Sequence, residues 1–233
     1  MGLIDINYDF RKDSACGDPD TDSHKLYNAH RILWSKVLPS GDMLEIKIED
    51  RYGRLILKNN QYMNLSSDRM CPHFDGKYNG IFNGWLANEE IVIFKYKVRT
   101  IGGHIVFPAH KKDGFTINQA RGVKRSIGDR FDLTLECIRR FYENEKSPLY
   151  EALQRYKGFF GLFIGFDEYV DFFLLQDFVT EQRQVIFTLP FDNFMRSPLP
   201  LNIDEYRHYK NKTIELIDKR NSRIAKYINR RNG

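Results

Sequence analysis

Residues 99–142 decide the fold that the sequence predicts, because they combine clear element signals with many glycines and charges. They contain R-T-I-G-G-H-I-V-F-P (99–108), F-T-I-N-Q-A-R-G-V-K-R-S-I-G (115–128) and D-R-F-D-L-T-L-E-C-I-R-R-F-Y (129–142). The apolar run 105–107 predicts a short buried strand that ends at Pro108. The glycine-broken second stretch predicts a loop.

The third stretch predicts the central helix of the molecule. Its apolar residues recur at helical spacing, at Phe131, Leu135, Ile138 and Tyr142. Asp129 is expected to cap the N-terminus of this helix, and Asp132 lies in the first turn, where a carboxylate interacts favourably with the helix dipole.

On the N-terminal side of this stretch, a helix and a strand pair are expected. The run D-P-D-T-D-S-H (18–24) has the spacing of a calcium loop, but it lacks the glycine and the glutamate that such a loop needs. We therefore expect Asp22 or Ser23 to cap a helix. The alternating pattern 44–48 predicts a half-buried strand, and 54–58 a return strand after a turn at 50–53.

The remaining elements are predicted with less regular patterns. Residues 59–87 are polar and indicate a loop with a short strand at 62–65. The segment 91–98 has high β propensity but places its apolar residues on one helical face, which favours a helix. Residues 185–189 predict a strand.

These elements together indicate an α+β fold, helix-rich, with a small and mainly antiparallel sheet. We expect a single globular domain over residues 1–200. A basic helix is expected in 201–233, packed on that domain through its isoleucines.

The composition favours a folded protein without membrane contact. Hydrophobic residues make up 42% and aromatic residues 14% of the 233 residues. No apolar run is long enough to span a bilayer, and the first ten residues lack the features of a signal peptide. Three widely spaced cysteines are typical of reduced thiols, so a cytoplasmic location is expected.

The positive charge is concentrated near the C-terminus. Residues 205–233 contain nine Lys/Arg and three Asp/Glu, whereas the rest of the chain has a net charge of −1. Tyrosines lie between these cations, a composition typical of surfaces that contact phosphate backbones. The alternative is a solvated helix with no partner on its basic face.

Six segments of the chain resemble one known family. They are L-W-S-K-V-L-P, T-I-G-G-H-I-V-F-P, T-I-N-Q-A-R-G, D-R-F-D-L-T-L-E-C-I-R-R-F-Y, S-P-L-Y-E-A-L-Q-R-Y and Y-V-D-F-F-L-L-Q-D. They are similar to a family of uncharacterised bacterial proteins, a domain of unknown function. The similarity covers most of the chain and is weakest around residues 60–98. It implies a bacterial or phage-borne cytosolic protein, and it brings no known activity or catalytic residues.

Candidate site residues lie in and beside the central stretch. We expect catalytic roles for His104, Glu136 and Asp132. We expect substrate binding by Arg99, Asn118, Arg121, Lys124, Arg125, Arg130 and Arg139. The polar face of the central helix would supply carboxylates for proton transfer and a guanidinium for bidentate contact. The alternative is an exposed face held by ordinary ion pairs.

No cofactor or metal site is predicted. The glycine pair at 102–103 lacks the context of a dinucleotide fingerprint, there is no Walker A motif, and the cysteines and histidines lack zinc spacing. A phosphate at the central helix would have to contact the loop cations, because Asp129 would repel an anion at the helix end. His104 alternates with Ile105 on its strand, and a lone strand histidine is more often a core residue.

Two functions from different classes stay open on the sequence. The first is an effector of the toxin or defence type, an enzyme that acts on nucleic acid or a nucleotide by metal-independent phosphodiester cleavage or nucleotidyl modification. Arg121 and Arg130 would bind phosphate, and His104 and Glu136 would exchange protons. The second is a non-catalytic module that binds nucleic acid or a protein partner through the basic helix. The sequence leaves the oligomeric state open.

Overall fold

The computed structural model describes residues 4–49, 54–59, 61–74, 79–109 and 114–232. The fold is α+β and helix-rich, as the sequence predicts. The helices are α1 (Pro19–Asp22), α2 (His24–Trp34), α3 (Asn79–Phe82), α4 (Asn88–Lys97), α5 (Ile117–Val123), α6 (Phe131–Tyr142), α7 (Tyr150–Arg155), α8 (Lys157–Phe160), α9 (Phe166–Phe172) and α10 (Ile203–Asn232). The strands are β1 (Lys36–Val37), β2 (Met43–Leu44), β3 (Ile46–Glu49), β4 (Arg54–Asn59), β5 (Gln61–Arg69) and β6 (His104–Pro108).

The larger sheet is antiparallel throughout and has the strand order β3-β4-β5-β6. Strand β5 is central, because it pairs with β4 through its first half and with β6 through its second. In the register of β5 and β6, Arg69 lies opposite His104 and Asp68 opposite Ile105. Strands β1 and β2 form a separate two-stranded ribbon.

Helices cover both faces of this sheet. Successive side chains of a strand point to opposite faces, so Ser66 and Ser67 of β5 lie on opposite faces of the sheet. Their contacts show which helix covers each face. Ser67 lies 3.0 Å from the Nε2 atom of His30 on α2. The side-chain amide of Asn118 on α5 donates to the hydroxyl of Ser66 at 3.1 Å. Helix α2 therefore packs on one face and α5 on the other.

The long helix α10 crosses the end of the sheet beside the 3-10 turn Ile101–Gly103. The amide of Gly102 donates to the side chain of Asn221 at 2.7 Å, and the buried Arg220 donates to the carbonyls of Gly102 and His104. These contacts fix α10 against the start of β6. The part of the chain that the structure describes contains no helix long and apolar enough to cross a membrane.

Several local predictions are confirmed. Ser23 caps α2, because its hydroxyl accepts a hydrogen bond from the Leu26 amide at 3.1 Å. The segment with high β propensity is helical as α4, and its buried residue Phe94 faces the core. The apolar stripe of α6 is buried at Phe131, Leu135 and Ile138. The expected turn at 50–53 lies outside the described residues.

Two stretches that were expected to be loops are regular elements. The predicted strand at 62–65 is wrong in extent, since β5 continues through its polar end to Arg69 and pairs with β6 there. The predicted loop 115–128 is wrong in part, because 117–123 form α5 with a capping box between Thr116 and Gln119. Both sequences are polar and therefore typical of loops. Their side chains have partners from distant parts of the chain, which the local pattern does not show.

Two further predictions are wrong. Asp129 does not cap α6: Arg130 occupies the cap position without a side-chain cap bond, and Asp129 has a left-handed backbone with φ 63°. Its carbonyl instead accepts a hydrogen bond from Arg121. The strand expected at 185–189 is only a single bridge between Val179 and Val185, because no strand among the described residues continues the pairing.

Candidate functional site

Arg121, expected to bind phosphate, lies fully buried beneath α5 on the sheet face that carries Asp68. Its three guanidinium nitrogens all donate to protein atoms. The acceptors are the Asp68 carboxylate, the Thr134 hydroxyl and the carbonyls of Met70 and Asp129. A phosphate would have to displace one of these acceptors. Arg121 therefore has a structural role, because its hydrogen bonds connect α5 to β5 and α6.

Asp132 and Arg130, also expected in the site, form a buried pair at the start of α6. The carboxylate of Asp132 accepts two hydrogen bonds from Arg130 and two from Thr188. Burial alone would raise the pKa of Asp132, but the guanidinium and the Thr188 donors outweigh it and hold the pKa below its ordinary value. The pair ties the segment around Thr188, and the carbonyl of Pro198, to α6.

Glu136 and Arg139 lie together on α6, as predicted, at 2.8 Å. Arg140 also binds Glu136 at 2.7 Å, and Arg139 continues to Glu143. Burial opposes ionisation of Glu136, but the two arginines lower its pKa below the ordinary value. Glu136 is thus an ionised carboxylate held between two cations, and none of these hydrogen bonds reaches His104.

The other expected binding residues are divided between the interior and the surface. Asn118 is half-buried on the α5 side of the sheet, bonded to Ser66 and to the carbonyl of Ser67. Lys124 and Arg125 are exposed after the end of α5. None of these contacts joins them to the opposite sheet face, where His104 and Arg99 lie.

His104 is fully buried on the face covered by α2, and it forms the centre of a second polar cluster. Its Nδ1 atom lies 3.0 Å from the Oδ1 atom of Asp20 on α1. The same carboxylate oxygen accepts the hydroxyl of Ser67 at 2.6 Å. Burial alone would raise the pKa of Asp20, but the imidazole of His104, the Ser67 hydroxyl and the Arg99 guanidinium hold it well below its ordinary value.

The hydrogen bonds assign the tautomer of His104. An ionised Asp20 can only accept, so Nδ1 of His104 carries the proton that they share. In the neutral imidazole, Nε2 is then the atom with the free lone pair. A histidine oriented by a carboxylate in this way is the arrangement that general bases use.

Ser67 is not activated as a nucleophile by its own histidine neighbour. The indole N–H of Trp34 donates to Nδ1 of His30 at 3.0 Å, which leaves the proton of neutral His30 on Nε2. Nε2 must then donate to Ser67 rather than accept from it. Burial, with the charge of Arg220, lowers the pKa of His30 well below its ordinary value, which keeps the ring neutral.

Arg99 extends the cluster toward the surface. Its guanidinium lies 3.5 Å from Asp18 and 3.8 Å from Asp20, and its side chain is only 11% exposed. Asp18, at 55% exposure, marks the outer edge of the cluster. Burial and the neighbouring charge of Arg69 lower the pKa of Arg99. The guanidiniums of Arg69 and Arg99 therefore lie near each other.

Four buried nitrogen atoms of this cluster have no hydrogen-bond partner among the residues that the structure describes. They are Nε2 of His104, Nε of Arg69, and Nε and one terminal nitrogen of Arg99. A buried donor or acceptor without a partner costs about 1–3 kcal/mol. We call the residues Asp18, Asp20, Arg69, Arg99 and His104 the Arg99 cluster, and the described part of the protein leaves hydrogen bonds of three of its side chains unmade.

The N-terminal segment covers the Arg99 cluster. The ring of Phe10 meets the His104 imidazole edge-on, with 5.9 Å between ring centroids. The amide of Phe10 donates to the carbonyl of Arg99 at 3.2 Å. No group of three or more His, Cys, Asp or Glu side chains within the described ranges is arranged to hold a metal ion.

The sequence singled out His104 and Arg99 but missed Asp20 and Arg69. The signal for Asp20 was the acidic run 18–22, which was compared only with a calcium loop and with a helix cap. Asp20 and His104 are separated by 84 positions. Arg69 lies in the stretch expected to be a loop, so its pairing with His104 was not foreseen.

Four cations of the basic helix α10 are paired with carboxylates, two on the body of the protein and two within the helix. Lys210 pairs with Glu90 at 2.6 Å, and Arg223 pairs with Asp177 at 2.8 Å. Lys212 and Lys219 share Glu215 within the helix. The predicted basic face is thus smaller than the charge count indicates.

Comparison with known proteins identifies a family and no activity. No curated protein and no solved structure matches the chain. A family described as a family of unknown function, DUF6994, matches residues 4–224. That match includes α1, β5, β6 and the whole Arg99 cluster. The chain therefore belongs to DUF6994, a family of unknown function.

Proposed function

We propose that the protein is an enzyme that acts on a phosphate-bearing substrate, a nucleotide or a nucleic acid, at the Arg99 cluster. The observation that carries the proposal is the set of buried nitrogens on Arg69, Arg99 and His104 that have no hydrogen-bond partner in the part of the chain that the structure describes. Guanidiniums bind phosphate oxygens through paired, charge-assisted hydrogen bonds. Such bonds would satisfy the arginine nitrogens at once.

Each residue of the cluster has a distinct role in this proposal. Arg99 and Arg69 hold the phosphate and stabilise the charge that develops on it. His104 exchanges the proton of the attacking or leaving oxygen through Nε2, and Asp20 orients the ring through Nδ1. A substrate that enters beside Asp18 meets Arg99 and Asp20 first. The chemistry is phosphodiester cleavage or nucleotidyl transfer, in an effector of the toxin or defence type that works in the cytosol.

The first experiment measures binding. The full chain is titrated with inorganic phosphate, AMP, ATP and a short RNA by calorimetry, beside an Arg99→Met variant. We expect at least one ligand to bind and Arg99→Met to weaken it about tenfold or more, because a hydrogen bond to a charged group contributes about 1.5–3 kcal/mol. The control is Arg183→Met, which removes a cation that is paired with Asp171 on α9. The absence of binding, or equal binding by Arg99→Met, would refute the proposal.

The second experiment measures turnover of the bound ligand. His104→Gln should lose turnover while binding is retained, because the amide can still donate toward Asp20 but cannot exchange protons. Glu136→Gln should keep turnover, since Glu136 is occupied by Arg139 and Arg140. If Glu136→Gln lost turnover while His104→Gln kept it, the catalytic residue would lie on the polar face of α6.

The alternative, a non-catalytic module that binds through α10, has weaker support because four of its cations are paired. Arg207, Lys226 and Arg230 are exposed on this helix. Changing Lys226 and Arg230 to Glu should leave ligand binding at the Arg99 cluster unchanged. Salt-dependent RNA binding that this double variant loses, without turnover by the wild type, would favour the module.

A further inference from the structure

A cavity of about 670 Å³ lies between α5 and α7, and α5 packs on the sheet face opposite to His104. Small-molecule sites typically have volumes of about 300–1,000 Å³. The wall contains Lys124 from the end of α5, Lys146 from the segment before α7, and Arg155 from the last turn of α7. We call this the α5–α7 cavity, and it shares no residue with the Arg99 cluster.

Cations outnumber carboxylates in the α5–α7 cavity. Glu151 is the only carboxylate among the described residues that line it, so the wall has an excess of two positive charges. Lys124 and Lys146 are exposed, and neither amine forms an ion pair within the described ranges. By contrast, Lys210 and Arg223 on α10 are paired with carboxylates. The cavity therefore favours an anionic ligand, and its lysines can bind phosphate oxygens as point charges.

The third cation, Arg155, is held in position by the segment before α5. Its guanidinium donates to the carbonyl of Phe115 at 2.6 Å. Gly114 has a φ of 102°, and a Cβ on it would lie 3.1 Å from the guanidinium carbon, so the guanidinium packs directly on the glycine backbone. A side chain fixed in this way loses little further freedom when it binds a ligand.

An exposed aromatic ring lies at the same cavity. Phe115 is 52% exposed, whereas every other phenylalanine and tryptophan among the described residues is buried or half-buried. Tyr150 supplies a second, half-buried ring to the wall and packs against Phe141, with 6.5 Å between ring centroids. Nucleobases stack on aromatic side chains of this kind, and cations beside the ring bind the phosphates.

We propose that the α5–α7 cavity binds a nucleotide, either free or as one unit of a single strand. Its phosphate lies among the three cations, and its base stacks on the ring of Phe115. Inorganic phosphate or an acidic peptide would use the cations and leave the ring exposed. Lys124, which the sequence singled out for substrate binding, belongs to this site. The site does not depend on the activity proposed for the Arg99 cluster.

The test is photolabelling of the full chain with an azido-ATP, followed by tryptic digestion and mass spectrometry. Label in the α5–α7 cavity falls on the peptides that contain Phe115 and Tyr150, which are 113–121 and 147–155 in the wild type. Label in the Arg99 cluster falls on the peptide that contains His104. We expect the cavity peptides to be labelled in the wild type and in Arg99→Met alike.

Two variants test the two halves of the site. Lys124→Gln combined with Lys146→Gln should raise the azido-ATP concentration for half-maximal labelling about tenfold or more, because two charged hydrogen-bond donors are lost. Phe115→Leu should raise it about fivefold or more, because the stacking ring is lost. The matched control is Lys157→Gln, which changes an exposed lysine outside the cavity and should leave labelling unchanged. Circular dichroism checks that all variants are folded.

Competition identifies the source of the nucleotide. ATP and a short oligouridine should both reduce labelling of the cavity peptides, and the one that does so at the lower concentration is the better ligand. Inorganic phosphate and a polyglutamate peptide should compete about tenfold more weakly or less, since neither stacks on the ring.

Three outcomes would overturn the proposal. They are labelling confined to the His104 peptide, cavity labelling that the lysine and Phe115 variants leave unchanged, and competition by polyglutamate as strong as by ATP and oligouridine. The first outcome would leave the function proposed for the Arg99 cluster intact. Labelling of the cavity peptides alone would support the α5–α7 cavity and would not support the Arg99 cluster.

Discussion

Replacement of Arg121 by methionine should destabilise the fold strongly, and this prediction separates a structural arginine from a substrate-binding one. Methionine fills a similar volume but donates no hydrogen bond. It leaves the Asp68 carboxylate without its cation, and it leaves the carbonyls of Met70 and Asp129 without this donor. The Thr134 hydroxyl, which donates to the carbonyl of Arg130, keeps its other bond.

The expected loss follows from the burial of the pair. Removal of one partner of a buried ion pair costs about 3–5 kcal/mol, because the remaining charge is uncompensated. For a chain of this size, 1 kcal/mol moves the Tm by about 2–4 °C, so the Tm should fall by about 6–20 °C. Addition of Asp68→Asn removes the orphaned charge, so the double variant should be more stable than the sum of the single losses predicts.

The assay is urea denaturation followed by circular dichroism, with Arg125→Met as the matched control. Arg125 is exposed, so the same substitution there should change the free energy of unfolding by less than about 0.5 kcal/mol. A loss below about 1 kcal/mol in Arg121→Met would refute the structural assignment. If ligand binding fell while stability stayed, Arg121 would regain the phosphate-binding role that the sequence predicted.

Three further predictions concern stability. Asp132→Asn should lower the free energy of unfolding by about 3 kcal/mol at pH 7. Because the folded-state pKa of Asp132 is lowered, its contribution is present above about pH 4 and fades as the pH falls through that lowered value. The unfolding free energies of the wild type and the variant, measured at decreasing pH, should therefore converge. Gly102→Ala should lower stability by about 1–3 kcal/mol in thermal melts, because a Cβ there would lie 2.6 Å from two oxygens of α10. The control Gly122→Ala, with open space around the added Cβ, should be neutral or stabilising. Trp34→Phe should cost about 1–3 kcal/mol beyond the lost ring area, because it leaves Nδ1 of His30 without a donor, and chemical denaturation would measure it.

The sequence predicted the elements whose signals are local. The stripe of α6, the Ser23 cap of α2 and the long C-terminal helix follow from periodicity and capping chemistry, which neighbouring residues determine. The end of β5 did not follow, because S-S-D-R resembles a loop unless its distant partners are known. His30, Asn118 and Arg121 make these polar residues suitable for a central strand.

The site was predictable only in part for a related reason. His104 was singled out as a histidine on a buried strand, but the orientation of its ring depends on Asp20, which lies far away in the sequence. The sequence also assigned His104 and Arg121 to one centre because both lie in residues 99–142. The alternation of β5 separates them, since Ser67 shares the Asp20 carboxylate with His104 and Asp68 binds Arg121 on the other face.

The contrast between these two sheet faces is the strongest argument for the Arg99 cluster as the proposed substrate site. Arg121 and Arg99 are both largely removed from water, so both incur the desolvation cost of a guanidinium. Arg121 recovers that cost through protein acceptors on all three nitrogens. Arg99 has two carboxylates only at 3.5 and 3.8 Å, and two of its nitrogens have no hydrogen bond within the described residues. In the proposed complex, phosphate oxygens would supply the hydrogen-bond acceptors that Arg99 lacks, whereas protein atoms already supply those of Arg121.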